Sequence, residues 1–262
     1  MKPTCTLLLV ALSLAGCEEK KPNLAPVASS LAPPAVPSGP TVKKFAIEKN
    51  GKATLELEAP REKIKASTTA SSGSIDVDLA NLKASRGEIR VDLTTLTTAT
   101  FPEAEKNASQ TAHARTWLEV ADAEAKLDDK LKEENRYAVY AIRSIEQASE
   151  TDVRKIAPVR EGAGEVRKAT IIVKGELLVH GHKVEREAEI EVGFLYEPGV
   201  SADRPTGLTI VTKKPFRVTL AEHAVQPRDG LGKIAKGSFS LLGTKVAENA
   251  DVTLDLRATP RS

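Results

Sequence analysis

Short runs in which apolar and charged side chains strictly alternate limit what this chain can fold into more than any other feature. Residues 74–79 (SIDVDL) set Ile75, Val77 and Leu79 against Asp76 and Asp78, and residues 88–93 (EIRVDL) repeat the arrangement with Ile89, Val91 and Leu93. Residues 53–59 (ATLELEA) alternate Leu55 and Leu57 with glutamates. A period of two places successive side chains on opposite faces of a strand, so each run has one face for an apolar interior and one for water. An antiparallel sheet or a closed barrel asks for that pattern; a parallel sheet, buried on both faces, does not. Residues 137–145, 166–179, 183–194, 208–220 and 252–258 are further β-type runs, and Gly73, Gly87, Gly181 and Gly207 read as turn signals. The chain shows no regular alternation of strand and helix. The expectation is one all-β antiparallel barrel domain over residues 44–262.

One stretch departs from this pattern. Residues 110–120 (QTAHARTWLEV) have helical character, and Trp117-Leu118 suits a short helix capping an opening of the barrel. Residues 147–167 and 196–206 carry Gly, Pro and charge and read as loops, and Pro227-Arg228-Asp229-Gly230 reads as a turn.

Residues 1–16 carry a positive charge at Lys2 and an apolar stretch from Leu7 to Leu14 that is too short to span a bilayer as a helix. Leu14-Ala15-Gly16-Cys17 has the form of a lipobox, the processing signal of bacterial lipoproteins. Residues 1–16 are therefore expected to be a lipoprotein signal peptide and Cys17 the site of lipid attachment. Of the two cysteines, Cys5 would leave with the signal segment and Cys17 would be consumed by lipid, so neither remains for a disulfide, a metal or catalysis. Residues 17–43 are rich in Pro, Ala and Ser and read as a disordered tether, with a reach between about 30 Å as a coil and about 80 Å extended. The expected location is the bacterial cell envelope, lipid-anchored and facing the periplasm, with the outer membrane favoured over the inner. A formal charge of +2, with acidic and basic residues interspersed, offers no surface for nucleic acid.

Several motifs resemble one family. Residues 73–79 (GSIDVDL), residues 85–93 (SRGEIRVDL) and the threonine-rich residues 94–98 are similar to paired strands of the YceI-like family. The segment Ala114-Arg115 to Val120 looks like the piece that precedes a later strand of that family. Gly175-Glu176-Leu177-Leu178-Val179-His180-Gly181-His182-Lys183-Val184 is similar to its "G-x-L-T-i-h-G-v-T-k-x-v" hairpin, with Leu178 standing where the family has threonine. The resemblance covers roughly residues 45–258. It implies an extended, lipocalin-like antiparallel β-barrel with a short capping helix, holding a long isoprenoid or related amphiphilic lipid. It also implies a periplasmic or secreted carrier without established catalytic residues.

A barrel that stores an apolar chain needs a continuous apolar lining, because an unpaired buried polar atom costs several kcal/mol. Strand parity assigns Leu55, Leu57, Ile75, Val77, Ile89, Val91, Val139, Val173, Leu177, Ile210, Phe216, Val218 and Leu254 to that lining, with Trp117 at a mouth or lid. Parity alone leaves open whether these residues enclose a cavity or fill a solid core; the resemblance favours a cavity. His180-Gly181-His182 has the spacing that begins a metal site within a strand, with a third ligand to come only from His113, His223 or a remote carboxylate, and a turn with two solvated histidines is the expectation. Gly237-Ser238-Phe239-Ser240 lacks the spacing of a nucleophile elbow, and no glycine-rich phosphate loop is present in the sequence. The chain thus reads as a membrane-tethered envelope lipoprotein binding an isoprenoid-like or acyl lipid, with no catalytic residues, no cofactor and no metal. The alternative is an envelope module with a packed interior that docks a protein partner.

Overall fold

The computed structural model describes residues 26–59, 62–122, 126–225 and 248–261 of the chain. Residues 1–25 with Cys17, the turn read at 227–230 and residues 237–240 lie outside the described residues. The strands are β1 (Val42–Ile47), β2 (Lys52–Ala59), β3 (Glu62–Thr68), β4 (Ser71–Asp78), β5 (Arg86–Asp92), β6 (Thr97–Thr98), β7 (Tyr137–Ala148), β8 (Val159–Glu161), β9 (Gly164–Val179), β10 (His182–Tyr196), β11 (Gly207–Thr212), β12 (Phe216–Thr219) and β13 (Asn249–Pro260). Helices α1 (Ala104–Trp117) and α2 (Asp129–Asn135) stand between β6 and β7.

Strands β1, β4, β5, β7, β9, β10, β11 and β13 follow one another round a ring, which closes where β13 pairs back with β1. The pairings round it are antiparallel. Along one edge of β13 lie β1 and then β2, and along its other edge β11 and then β12. Each such pair acts as one long strand with a step in it. The result is a closed up-and-down barrel of the lipocalin type, and closure removes the free edges that an open sheet would present. Phe45, Phe194, Leu79, Leu208 and Leu256 are fully buried inside it.

Three of the four expected turn glycines lie in strands, Gly207 as the first residue of β11 opposite Leu195. Gly73 sits within β4 opposite Ile89 at φ +132°, where a Cβ would stand 2.0 Å from the Glu88 carbonyl oxygen. Gly87 lies in β5, where a Cβ would come within 2.8 Å of the Ser74 carbonyl oxygen. Both are places of close backbone approach between β4 and β5. Gly181 is the turn residue: His180 (φ +50°) and Gly181 (φ +72°) form a two-residue loop between paired Val179 and His182, as a tight hairpin requires. The expected loop over 147–167 is shorter than its sequence suggested. β7 runs on to Ala148, β9 begins at Gly164, and Val153 between them is fully buried at the base of the barrel.

The amino-terminal segment corrects the reading of a disordered tether to Lys43. Val27 makes a bridge with His182, with Ala28 N donating to Gly181 O and Lys183 N to Pro26 O. Leu31 is buried on the outside of the barrel against Val139, Ala141 and Leu178. Residues 26–41 thus form a strap from the β9–β10 hairpin to the start of β1. The cause lies in the wall beneath: β7 and β9 are apolar on both faces there, and an apolar outer face needs a cover. Leu31→Asp is expected to undock the strap and cost about 2 kcal/mol, the scale of one buried leucine. Denaturant unfolding and limited proteolysis read this directly. Cleavage within residues 26–41 should accelerate while the barrel stays intact, and unchanged proteolysis would count against docking.

Candidate ligand-binding site

Among the described residues, three apolar cavities with shared lining side chains stand in line inside the ring. The largest, about 110 Å³, lies toward the β9–β10 hairpin and is bordered by Leu55, Val91, Leu177, Val179, Val218 and Ala250, with Leu118, Leu220 and His223 across its end. Smaller spaces of about 20 Å³ and about 40 Å³ continue toward the base. Ile89 borders all three; Tyr140, Phe216 and Leu254 stand between the first and second, and Ile142, Ile190 and Ile210 between the second and third. Because the partitions are side chains, rotation can join the spaces. A dry apolar cavity of about 150 Å³ takes one benzene ring, so the present space holds only a few carbons. A long chain enters only if Phe216 and Leu254, both half-buried, turn aside.

Among the residues read as inward, Leu55, Ile75, Val77, Ile89, Val91, Val173, Leu177, Ile210, Phe216, Val218 and Leu254 border one or more of these spaces. Leu57, Trp117 and Val139 are not among the bordering residues. Leu57 shares the parity of Leu55 but lies near the end of β2, half-buried. Trp117 ends α1, and it is Leu118 that reaches the cavity. Val139 faces outward beneath Leu31, while Ala138 and Tyr140 face in. The lining set read from strand parity omits Leu118, Tyr140, Ala250 and His223, which border the largest cavity.

A buried polar cap closes the hairpin end. His180 donates from Nδ1 to the His223 carbonyl at 2.9 Å, and its Nε2 lies 2.7 Å from Glu119 Oε2. Asn135 Nδ2 donates to the same Glu119 oxygen at 2.9 Å. A bare lone pair and a bare carboxylate would repel at that separation, so Nε2 and Oε2 hold one proton between them. Burial pushes the His180 imidazole below its usual range, while the bond to the His223 carbonyl pulls it up. Glu119, His180 and Ala224 all adopt positive φ, of 55°, 50° and 53°. Such backbone strain in residues other than glycine is sustained only where surrounding contacts over-determine it. His180 therefore corrects the expectation of two solvated histidines: it is buried, and both its ring nitrogens are engaged. Among the described residues, no cluster of three or more His, Cys, Asp or Glu could hold a metal ion.

Helix α1 lies over the same end. It contains no buried residue and is fastened by hydrogen bonds: Arg115 Nε donates to Leu96 O at 2.8 Å, Thr98 N to Thr111 Oγ1 at 2.9 Å, and Thr98 Oγ1 to Asn107 O at 2.9 Å. Beside it, Asp92 accepts from Arg136 and Thr94 where β5 gives way to β6. Burial pushes the Asp92 carboxyl up, but these hydrogen bonds outweigh it and hold the group below its usual range.

Acid sensitivity follows from these groups. Burial lowers the His223 imidazole below its unfolded value of 6.5, against hydrogen bonds to the His182 and Val179 carbonyls. The unfolded chain therefore binds more protons in that window, and stability falls as pH drops below 6.5 toward the folded value. Asp92 acts later: its contribution is present above 3.8 and is lost at more acid pH. Urea midpoints from about pH 8 to about pH 3 should show both losses. His223→Phe should shrink the first and leave the second; a wild-type midpoint flat through the histidine window would contradict this.

The fold and the site together define a class: a small closed β-barrel, lipocalin-like, whose apolar interior is sealed at one end by a buried polar cap. No family model and no curated protein matches the chain. Among solved structures it is similar to a polyisoprenoid binding domain from Saccharophagus degradans implicated in plant cell wall breakdown, at 12% identity and a TM-score of 0.49, over 83% of this chain and 98% of that one. It is also similar to BcnA of Burkholderia cenocepacia, at 12% identity and a TM-score of 0.40, over 83% of this chain and 96% of that one.

Proposed function

We propose that the protein carries or stores a long-chain amphiphile, isoprenoid-like or acyl, inside its barrel while tethered to a membrane of the bacterial envelope through Cys17. The observation that carries the reading is the line of apolar cavities divided only by side chains. Burying a chain there removes about 0.8 kcal/mol per methylene relative to water. Bilayer interior and barrel interior are both dry hydrocarbon, so exchange between them runs near balance. What the barrel removes is the cost of crossing water. Lifting α1 would open the mouth at the expense of hydrogen bonds that water can replace, which makes that helix the natural gate.

The strap gives the tether a direction. From Cys17 to Val27 the chain spans at most about 35 Å, so the hairpin end, with the largest cavity behind it, stays close to the anchoring surface. Little favours the docking-module alternative. The outer apolar patch at Val139, Ala141 and Leu178 is covered by Leu31, and among the described residues the exposed large apolar side chains are Val27 and Val36 on the strap, Val159 on β8 and Val211 on β11. Incubation of the Cys17→Ser protein, which has no lipid attachment site, with liposomes holding a radiolabelled C20 prenyl alcohol, followed by gel filtration, tests the reading. Label should travel with the protein; label left wholly with the vesicles would remove the proposal.

A further inference from the structure

The polar side chains on the wall of the largest cavity are not alike. Thr68 Oγ1 is engaged with the Asp92 carbonyl and Thr95, and the Tyr140 hydroxyl donates to the Arg186 carbonyl at 2.9 Å. His223 differs. Its Nδ1 lies 3.0 Å from the His182 carbonyl and 3.3 Å from that of Val179, and carbonyls only accept, so Nδ1 carries the proton. Nε2 on the other edge of the ring is then a bare acceptor. His223 is fully buried, and Nε2 has no hydrogen-bond partner among the described residues. Turning the ring over would sacrifice the Nδ1 bonds, so the orphan is built in. A buried acceptor with nothing to accept from is a standing cost to a fold and calls for a reason.

We infer that His223 Nε2 receives the hydroxyl of the bound amphiphile, so that the ligand is a long apolar chain ending in a neutral hydrogen-bond donor, an alcohol or phenol. The inference rests on the barrel being a lipid site. An ether or carbonyl head would set lone pair against lone pair at Nε2. A phosphate head would need cations, and the wall of this cavity carries no Lys or Arg among the described residues. Burial also lowers the imidazole pKa and so favours the neutral ring, which suits a hydroxyl.

Farnesol, farnesyl methyl ether and farnesyl phosphate share one chain and differ in the head, so calorimetric titration of the full protein with each reads the head alone. Farnesol is expected to bind about tenfold tighter than the ether, with the phosphate weakest. In His223→Phe, with folding checked by circular dichroism, the preference for farnesol over the ether should vanish. A second readout needs no variant: farnesol should shift the ¹⁵N resonance of His223 Nε2 as an accepted hydrogen bond does, and the ether should not. Equal binding of alcohol and ether by the wild type would overturn the head-group assignment and leave the barrel reading standing. So would tightest binding of the phosphate, or a preference that survives His223→Phe. Failure of all three probes to bind would overturn the barrel reading itself, and the assignment with it.

Discussion

His180→Leu is expected to cost about 3–5 kcal/mol and, for a chain of this size, to lower the unfolding midpoint by about 10 °C. The side chain removed is the partner with which Glu119 shares a proton, and Glu119 stays buried when it goes. The remaining carboxyl must either stay ionised beside Asn135 or take up a proton of its own, and the His223 carbonyl loses its donor. The double variant His180→Leu/Glu119→Leu should recover a large share of the loss, because two apolar side chains leave no buried charge behind. A double-mutant cycle by calorimetry separates this from ordinary packing loss. If the two substitutions simply add, the pair is not a coupled unit and the cap owes its stability to something else.

Ala250→Phe is expected to lower the affinity for a long-chain ligand by about 100-fold or more. Ala250 is fully buried on β13, opposite Leu57, and borders the largest cavity. A phenyl group there occupies space that would otherwise take about four methylenes, each worth about 0.8 kcal/mol, which converts to roughly that factor. The barrel should survive, since filling a void offsets part of the strain of a larger side chain. Uptake of labelled prenyl alcohol by variant and wild type, with circular dichroism as the control, measures the effect. Wild-type uptake by a folded Ala250→Phe would place the ligand elsewhere.

The sequence carried the barrel plainly because its strands are amphipathic. Where one face is polar, as in residues 74–79 and 88–93, parity alone puts Ile75, Val77, Ile89 and Val91 inside, and the structure puts them there. Parity misled where both faces are apolar. In β7 the run Tyr137-Ala138-Val139-Tyr140-Ala141-Ile142 carries no period of two, and Val139 was read inward when it lies beneath the strap. Leu177-Leu178 has the same character, and Leu178 also meets Leu31. Two-faced apolarity in adjacent strands was the available sign that something covers the outer wall. The proline-rich composition of residues 17–43 hid the cover, since local composition says nothing about a distant apolar patch.

The polar cap was harder to read because its members are far apart in the chain. Glu119, Asn135, His180 and His223 come from four separate segments, and only the two histidines carry a sequence signal, as candidate metal ligands. Its metal-like spacing pointed at the wrong chemistry. At a tight turn the two rings stand 6.5 Å apart between centroids, and each nitrogen of His180 is already taken by the protein.

The most direct measurement is mass spectrometry of an organic extract from the Cys17→Ser protein, which has no lipid attachment site, purified without detergent. Binding inside the barrel predicts a long-chain amphiphile at close to one per chain, and the hydroxyl reading predicts that its head is an alcohol or phenol. An empty extract, with no lipid taken up on later incubation with a membrane extract, would contradict the central claim. Side chains would then fill the barrel by themselves.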